Sequence, residues 1–222
     1  MSKPCSGIAI KVSATLQSTF NVGDRVCAFG AQPYANYPVV KGHGTVKVPD
    51  QMTFELAASI PIVYSTVMYA LINLSQLQRG QKVFIRSATG VVGQAAIMLV
   101  QHLGADIFAT VGSADKKRVL MSEFGVPADH IFSSRNTNFR QGITTQTNDY
   151  GVAVVLNSLA GEQFRESCDC LAYFGRFVET RKRAFLSNAK MDMGFILKNV
   201  TFSNMDLMLA GQFNPRLTET LM

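Results

Sequence analysis

The segment Ser87-Ala88-Thr89-Gly90-Val91-Val92-Gly93-Gln94 lies directly between an apolar run that reads as a strand, Lys82–Ser87, and a run with apolar residues at helical spacing, Val92–Leu103. A tight turn in that place aims backbone N–H groups and the positive end of the helix dipole at an anion such as a pyrophosphate. Gly90 permits close backbone approach, Gly93 lets the helix pack tightly on the strand, and Thr89, Val91 and Val92 complete the cradle. Two glycines alone are a weak signal. Strand, turn and helix, followed by a second strand at the right distance, make a strong one for a dinucleotide.

The end of the second strand discriminates between dinucleotides. A site for an unphosphorylated ribose places an acid there, to bind the 2′-hydroxyl. This strand ends Thr110-Val111-Gly112-Ser113 without one, and Asp115 falls in the first helical turn, where it suits the dipole. Ser113 and Lys116, joined by Arg135 after the third strand, suit a 2′-phosphate, so NADPH is the expected cofactor. Lys117 reads as a solvated position on the helix face.

These residues need a frame to hold them. Strands and helices alternate from residue 82 onward: Lys82–Ser87, Val92–Leu103, Asp106–Val111, Ala114–Phe124, His130–Phe132, Phe139–Thr147, Gly151–Leu156, Phe164–Leu171, Gly175–Glu179, and a sixth strand beginning at Val200. Such alternation predicts an α/β fold, a doubly wound parallel sheet of the Rossmann type. Near-continuous apolar strands fit a sheet covered on both faces. Before it, residues 1–60 read as short strands punctuated by Gly and Pro, a small irregular barrel: Ile8–Val12, Arg25–Phe29, Pro38–Val40 and Thr45–Pro49. Thr53 suits a helix cap, and residues 61–75 read as a mostly apolar helix.

The chain has 222 residues, 47% hydrophobic and 16% charged, which is a globular composition with material for a real core. The net charge of +6 is scattered, and no aromatics are interleaved with the basic runs 116–118 and 181–183, so nucleic-acid binding is not expected. Cys5, Cys27, Cys168 and Cys170 match no zinc or redox spacing, and His43, His102 and His130 form no ligand motif, so no metal site is expected. No apolar run reaches membrane-crossing length, and no signal-peptide pattern opens the chain; the expectation is a soluble cytoplasmic protein.

The runs VGDRV (22–26), SATGVVGQAA (87–96), ATVGSADKK (109–117), ADHIFSSRNTNF (128–139), VVLNSLAG (154–161) and GRFVE (175–179) occur in order. Together they resemble the enoyl reductase domain of fungal highly reducing polyketide synthases, itself similar to the enoyl reductase of animal fatty acid synthase. Both belong to the medium-chain dehydrogenase/reductase superfamily. The resemblance implies a partial GroES-like substrate domain over residues 1–60 and a Rossmann NADPH-binding domain over 61–222. It implies hydride transfer from NADPH to the β-carbon of an α,β-unsaturated acyl thioester held on an acyl carrier protein, with a proton then added at the α-carbon. No zinc is required. By position, Lys182 and Asp206 match the family's proposed acid pair, in which an ammonium steadies the developing enolate and a carboxylate orients it. Asn157 and Leu159 resemble the contacts on the nicotinamide side, and Ser65, Thr66 and Tyr69 are expected to face the cofactor cleft.

The chain departs from the family pattern at three places. Val91 stands where glycine is usual, and a β-branched residue is disfavoured at positive φ. Thr180-Arg181 replaces Ile-Gly before Lys182, and Asn136 replaces Asp. The resemblance also implies family strands before residue 1 and after Met222, so an enoyl reductase piece is expected. Two alternatives stand beside a working reductase. One is a catalytically inactive remnant or structural module. The other is a quinone or alkenal reductase, which explains the turn but not the VLNSLAG and GRFVE runs.

Overall fold

The computed structural model describes residues 3–30, 35–159, 161–181 and 193–222. The chain divides into two compact units, Met1–Thr66 with Asp206–Met222, and Val67–Met205.

The first unit holds an antiparallel sheet of β1 (Lys3–Ile8), β2 (Arg25–Gly30) and β3 (Thr45–Lys47), in that order. Cys27, Val48 and Ala57 form its small core, flanked by Val46 and Met52. Gly23, at φ 96, makes the turn into β2, a conformation open to glycine. The first strand lies earlier than the expected Ile8–Val12: Ile8 ends it, and Ile10 is exposed. Short helices α6 (Leu207–Phe213) and α7 (Pro215–Leu221) return to this unit, the second capped by Asn214, whose Oδ1 accepts from Leu217 N–H at 3.1 Å.

Helix α1 (Phe54–Met68) begins where Thr53 Oγ1 accepts the Leu56 N–H. It passes through Pro61 instead of starting there, and continues as a π-helical stretch, Tyr69–Leu74. The joined helix has 21 residues, and an 18-residue window of it has a mean hydropathy of 1.5, long and apolar enough by length and composition to cross a membrane, contrary to expectation. Reading Pro61 as a helix start hid that length. Burial inside the protein accounts for part of the apolarity, since Ala57, Val67, Ala70 and Leu71 are fully buried.

The second unit is built on a six-stranded sheet, β4 (Lys82–Ile85), β5 (Asp106–Val111), β6 (Ile131–Ser133), β7 (Val152–Asn157), β8 (Leu171–Glu179) and β9 (Thr201–Asn204), in the order β6-β5-β4-β7-β8-β9. All five pairings are parallel. The first, second and third strands run outward one way and the fourth to sixth the other, which is the doubly wound order, its direction reversing between β4 and β7. Helices α2 (Val91–His102), α3 (Ala114–Ser122), α4 (Phe139–Gln146) and α5 (Glu162–Asp169) connect the strands. Phe84, Phe108, Phe139, Ile143, Val155 and Phe177 are wholly buried in one cluster. Burial on both faces is what makes these strands read as unbroken apolar runs.

Strand β8 starts four residues before the expected Gly175. Its register against β7 shifts between Val152 and Val154, and Phe174 takes φ 58 within the irregularity. Gly175 follows because a Cβ there would lie 2.8 Å from the Leu171 side chain and 2.9 Å from the Ala172 carbonyl oxygen.

Candidate functional site

The glycine-rich turn sits at the C-terminal end of β4. Ser87 adopts φ 54, the Gly90 N–H donates to Ser87 O at 2.9 Å, and the Ala88 N–H donates to Thr110 O at 3.0 Å. Thr89 O accepts from Gln94 Nε2 at 3.0 Å, which ties the turn to the helix it starts. Gly90 is the extended N-cap residue of α2, with φ −71 and ψ 161, and supplies no side chain to the helix's first N–H groups. Those donors have no intrahelical partners, so the turn presents them, with the helix dipole, as an anion cradle. At Gly93 a Cβ would stand 2.5 Å from the Ala88 oxygen and 2.7 Å from its carbonyl carbon and Cα. The close approach expected at this glycine is therefore to the turn itself.

Val91 opens α2 one residue earlier than expected, with Val92 beside it in the first turn. Positive φ in this turn belongs to Ser87 and not to Val91. The condition under which a β-branched residue would be strained here is not met, and its side chain is 67% exposed.

Ser113 caps α3, its Oγ accepting the Lys116 N–H at 3.4 Å. Lys116 is exposed on the first turn. Arg135 reaches the same corner from the loop after β6, where its Nε donates to Gly112 O at 2.9 Å. Ser134 N–H binds Val111 O at 2.8 Å and fastens that loop to the end of β5. Arg135 is thus tied to Gly112, the residue before Ser113. Lys117 is tethered to β6 and not simply solvated, since its Nζ donates to Ile131 O at 3.2 Å. Asp115 is engaged by Arg118 in an exposed ion pair. Asn136 Oδ1 accepts from Asn138 N–H at 3.2 Å, a turn that Asp makes equally well.

At the ends of β7 and β8 lies a buried polar group that sequence reasoning missed. Asn157 and Glu179 are both fully buried. Asn157 Nδ2 donates to Glu179 Oε2 at 2.5 Å and to Leu159 O at 2.6 Å, so Asn157 and Leu159 are joined through the amide. Asn157 Oδ1 is buried without a partner among the described residues. Glu179 Oε1 accepts the Arg181 N–H at 2.8 Å, and Thr180 Oγ1 donates to Asn157 O at 2.8 Å. Burial raises the Glu179 carboxyl above the ordinary glutamate value, against its hydrogen bonds from Asn157, Arg181 and Thr180 and the Arg181 charge. The signal available in the sequence was a carboxylate ending a run of buried residues, which is rarely idle.

Lys182 lies outside the described residues. Asp206 caps α6, its Oδ1 accepting the Met208 N–H at 3.0 Å. Ser65 and Thr66 are buried and their hydroxyls are engaged within the protein: Ser65 Oγ donates to Leu221 O at 3.0 Å and Thr66 Oγ1 to Ile62 O at 2.6 Å. Tyr69 is half-buried at the start of the π-helical stretch. The cysteines are free thiols, and burial pushes Cys170 up to about 12, so it has no thiolate character at neutral pH.

The residues fit a dinucleotide. The Gly90–Gly93 cradle stands at the strand-order reversal, no acid ends β5, and an orphan buried acceptor stands at the end of β7. Among the described residues no group of three His, Cys, Asp or Glu gathers to hold a metal ion.

Comparison with known proteins agrees with this geometry. The family described as zinc-binding dehydrogenase matches residues 91–214. A highly reducing polyketide synthase, cm3B of Cordyceps militaris, is 49% identical over all 222 residues, and the chain spans 9% of that synthase's length. The crystal structure of CurK enoyl reductase superposes with a TM-score of 0.82 at 33% identity, over 99% of this chain and 64% of that one. The nucleotide-binding subdomain of the enoylreductase domain of PpsC from Mycobacterium tuberculosis is 37% identical, with a TM-score of 0.66, over 72% of this chain and 88% of that one.

Proposed function

Since this chain belongs to the enoyl reductase domains of polyketide synthases, within the medium-chain dehydrogenase/reductase superfamily, we propose that it binds NADPH and reduces an α,β-unsaturated acyl thioester. The observation that carries this reading is the Gly90–Gly93 cradle at the reversal of strand order, closed so tightly that Gly93 admits no side chain.

In this reading Thr89, Gly90, Val91, Val92 and Gly93 turn their backbone donors to the pyrophosphate. Ser113, Lys116 and Arg135 take the 2′-phosphate: the Ser113 hydroxyl keeps its own proton to donate, and Arg135 brings a fork of donors already oriented by Gly112. The bound cofactor supplies a hydride to the β-carbon of the thioester. Asn157 and Glu179 hold the ends of β7 and β8 in register, and Asn157 Oδ1 is free to accept an amide proton. Lys182, matching the family's lysine, is assigned to steady negative charge on the thioester oxygen with its ammonium and to give up a proton to the α-carbon, and Asp206 is the carboxylate assigned to that acid pair. The natural acyl group is a polyketide intermediate on an acyl carrier protein, and the net charge of +6 suits an acidic carrier.

NADPH titration by fluorescence, with NADH as control, tests the reading. Micromolar affinity for NADPH and weaker binding of NADH are expected. Arg135→Ala is expected to lower the preference for NADPH about tenfold, the worth of one exposed charge-assisted contact. Absence of binding at millimolar cofactor in folded protein would instead favour a non-catalytic module, a reading that draws on Arg181, an exposed cation where the family carries a small residue.

A further inference from the structure

Arg86 is the one fully buried arginine among the described residues, 3% exposed at the C-terminal end of β4. Its guanidinium lies 4.1 Å from the centre of the Phe139 ring and 5.2 Å from that of Phe84. Nη2 donates to Gln163 Oε1, while Nε and Nη1 have no hydrogen-bond partner among the described residues. Burial lowers its pKa to about 10, so it remains a cation at neutral pH. A buried charge with two unused donors is costly, and the aromatic faces offset only part of that cost. Such a group calls for a role outside the core.

We infer that Arg86 and Gln163 form a positioning relay that sets the loop after β6, and with it Arg135, for a 2′-phosphorylated dinucleotide. The inference rests on the reading of Ser113, Lys116 and Arg135 as the 2′-phosphate group.

A guanidinium only donates, so the Gln163 amide must turn Oε1 toward it. That choice sends Gln163 Nε2 the other way, where it donates to Asn136 O at 3.1 Å. A neutral partner able to accept would leave both amide orientations open; Arg86 allows one. Asn136 is the residue after Arg135, whose own Nε is bound to Gly112 O at 2.9 Å. The loop is therefore gripped at two consecutive residues, by the Arg135 side chain and by the Asn136 carbonyl. One grip comes from Gly112, between the end of β5 and Ser113, and the other from Arg86, just after β4, and from α5 through the relay. With the relay removed, the remaining grips, Ser134 on Val111 and Arg135 on Gly112, both lie on the β5 side, and the Arg135 fork loses its register with Ser113. The pyrophosphate cradle, on the opposite side of Ser87, does not depend on this grip.

The test is titration of the full chain and its Arg86→Met, Gln163→Leu, Gln163→Glu and Arg135→Ala variants with NADPH and NADH. Gln163→Glu keeps a partner for Arg86 but has no N–H for Asn136. The expected result is an increase of about 3- to 10-fold in the NADPH Kd for both Gln163 variants, with NADH changed by less than about twofold. Gln163→Leu combined with Arg135→Ala is expected to be no weaker than Arg135→Ala alone, because the relay acts through that residue. Equal losses for both cofactors, or additive losses in the double variant, overturn the relay. If Arg135→Ala lowers the NADPH preference and the Gln163 variants do not, the relay alone is wrong. If Arg135→Ala leaves the preference unchanged, the 2′-phosphate reading falls and the relay with it. Should Arg86→Met fail to fold, the half-buried Gln163 still decides the question.

Discussion

Gly93→Ala is expected to weaken NADPH binding on the order of 100-fold, about 2.8 kcal/mol, and to lower stability by about 1–3 kcal/mol. The new Cβ would stand 2.5–2.7 Å from three backbone atoms of Ala88. Backbone cannot rotate out of the way as a side-chain tip can, so the turn must open or α2 must move off β4. Either movement displaces the N–H groups that form the cradle. Two neighbouring substitutions separate this effect from general sensitivity. Gly90→Ala meets only the Ser87 oxygen at 3.2 Å and is expected to cost much less. Val91→Gly restores the family residue at a position that is already helical and exposed, and is expected to change affinity by less than about twofold. Thermal unfolding and cofactor titration read the two effects separately. A Gly93→Ala protein that binds NADPH as the parent does would remove the turn from the site.

The second unit was legible because its strands carry their burial in their composition. Asp106–Val111 is bounded as the sequence implied, five of its six residues being buried. Where burial and composition part, reading failed. The start of β8 was lost because Tyr173 and Phe174 are exposed in an irregular stretch, which breaks the apolar run that marks a covered strand. β1 was misplaced because its residues, Lys3 to Ile8, include Lys, Pro and Ser, and its pairing to β2 is a long-range fact. The site was legible where it is made of local chain, as in the glycine turn and the Ser113 cap. It was not legible where distant strands meet. Glu179 gains its meaning from Asn157, 22 residues earlier, and Arg86 from Gln163, 77 residues later. Each is a charged residue at the end of an apolar strand, Glu179 closing β8 and Arg86 following β4. The sequence marks that oddity, but only the fold supplies the partner.

Glu179→Leu is expected to cost about 2–4 kcal/mol near neutral pH, by leaving the Arg181 N–H unpaired and Asn157 Nδ2 with only one of its two acceptors. The loss is expected to depend on pH in a stated direction. Burial raises the folded-state pKa of Glu179 above that of the unfolded chain, so the folded protein holds this proton more tightly. The contribution of Glu179 titration to stability is then fullest below the ordinary glutamate value, ~4.3. It declines as the pH rises from there to the folded pKa, and is level beyond it. Leucine has no proton to exchange. The stability difference between parent and Glu179→Leu should therefore shrink across that window and become constant above it, as measured by denaturant unfolding at a series of pH values. Parallel curves for the two proteins would mean that Glu179 titrates as it does in the unfolded chain. A difference that grows with pH would mean that the hydrogen bonds from Asn157, Arg181 and Thr180 outweigh burial and hold the carboxylate ionised. Catalysis gives an independent reading of the same residue. Glu179 Oε1 holds the Arg181 N–H, immediately before Lys182, so its replacement is expected to lower kcat for a crotonyl thioester more than it raises the KM for NADPH. That split distinguishes a residue that acts through Lys182, the proposed catalytic lysine, from one that only supports the sheet.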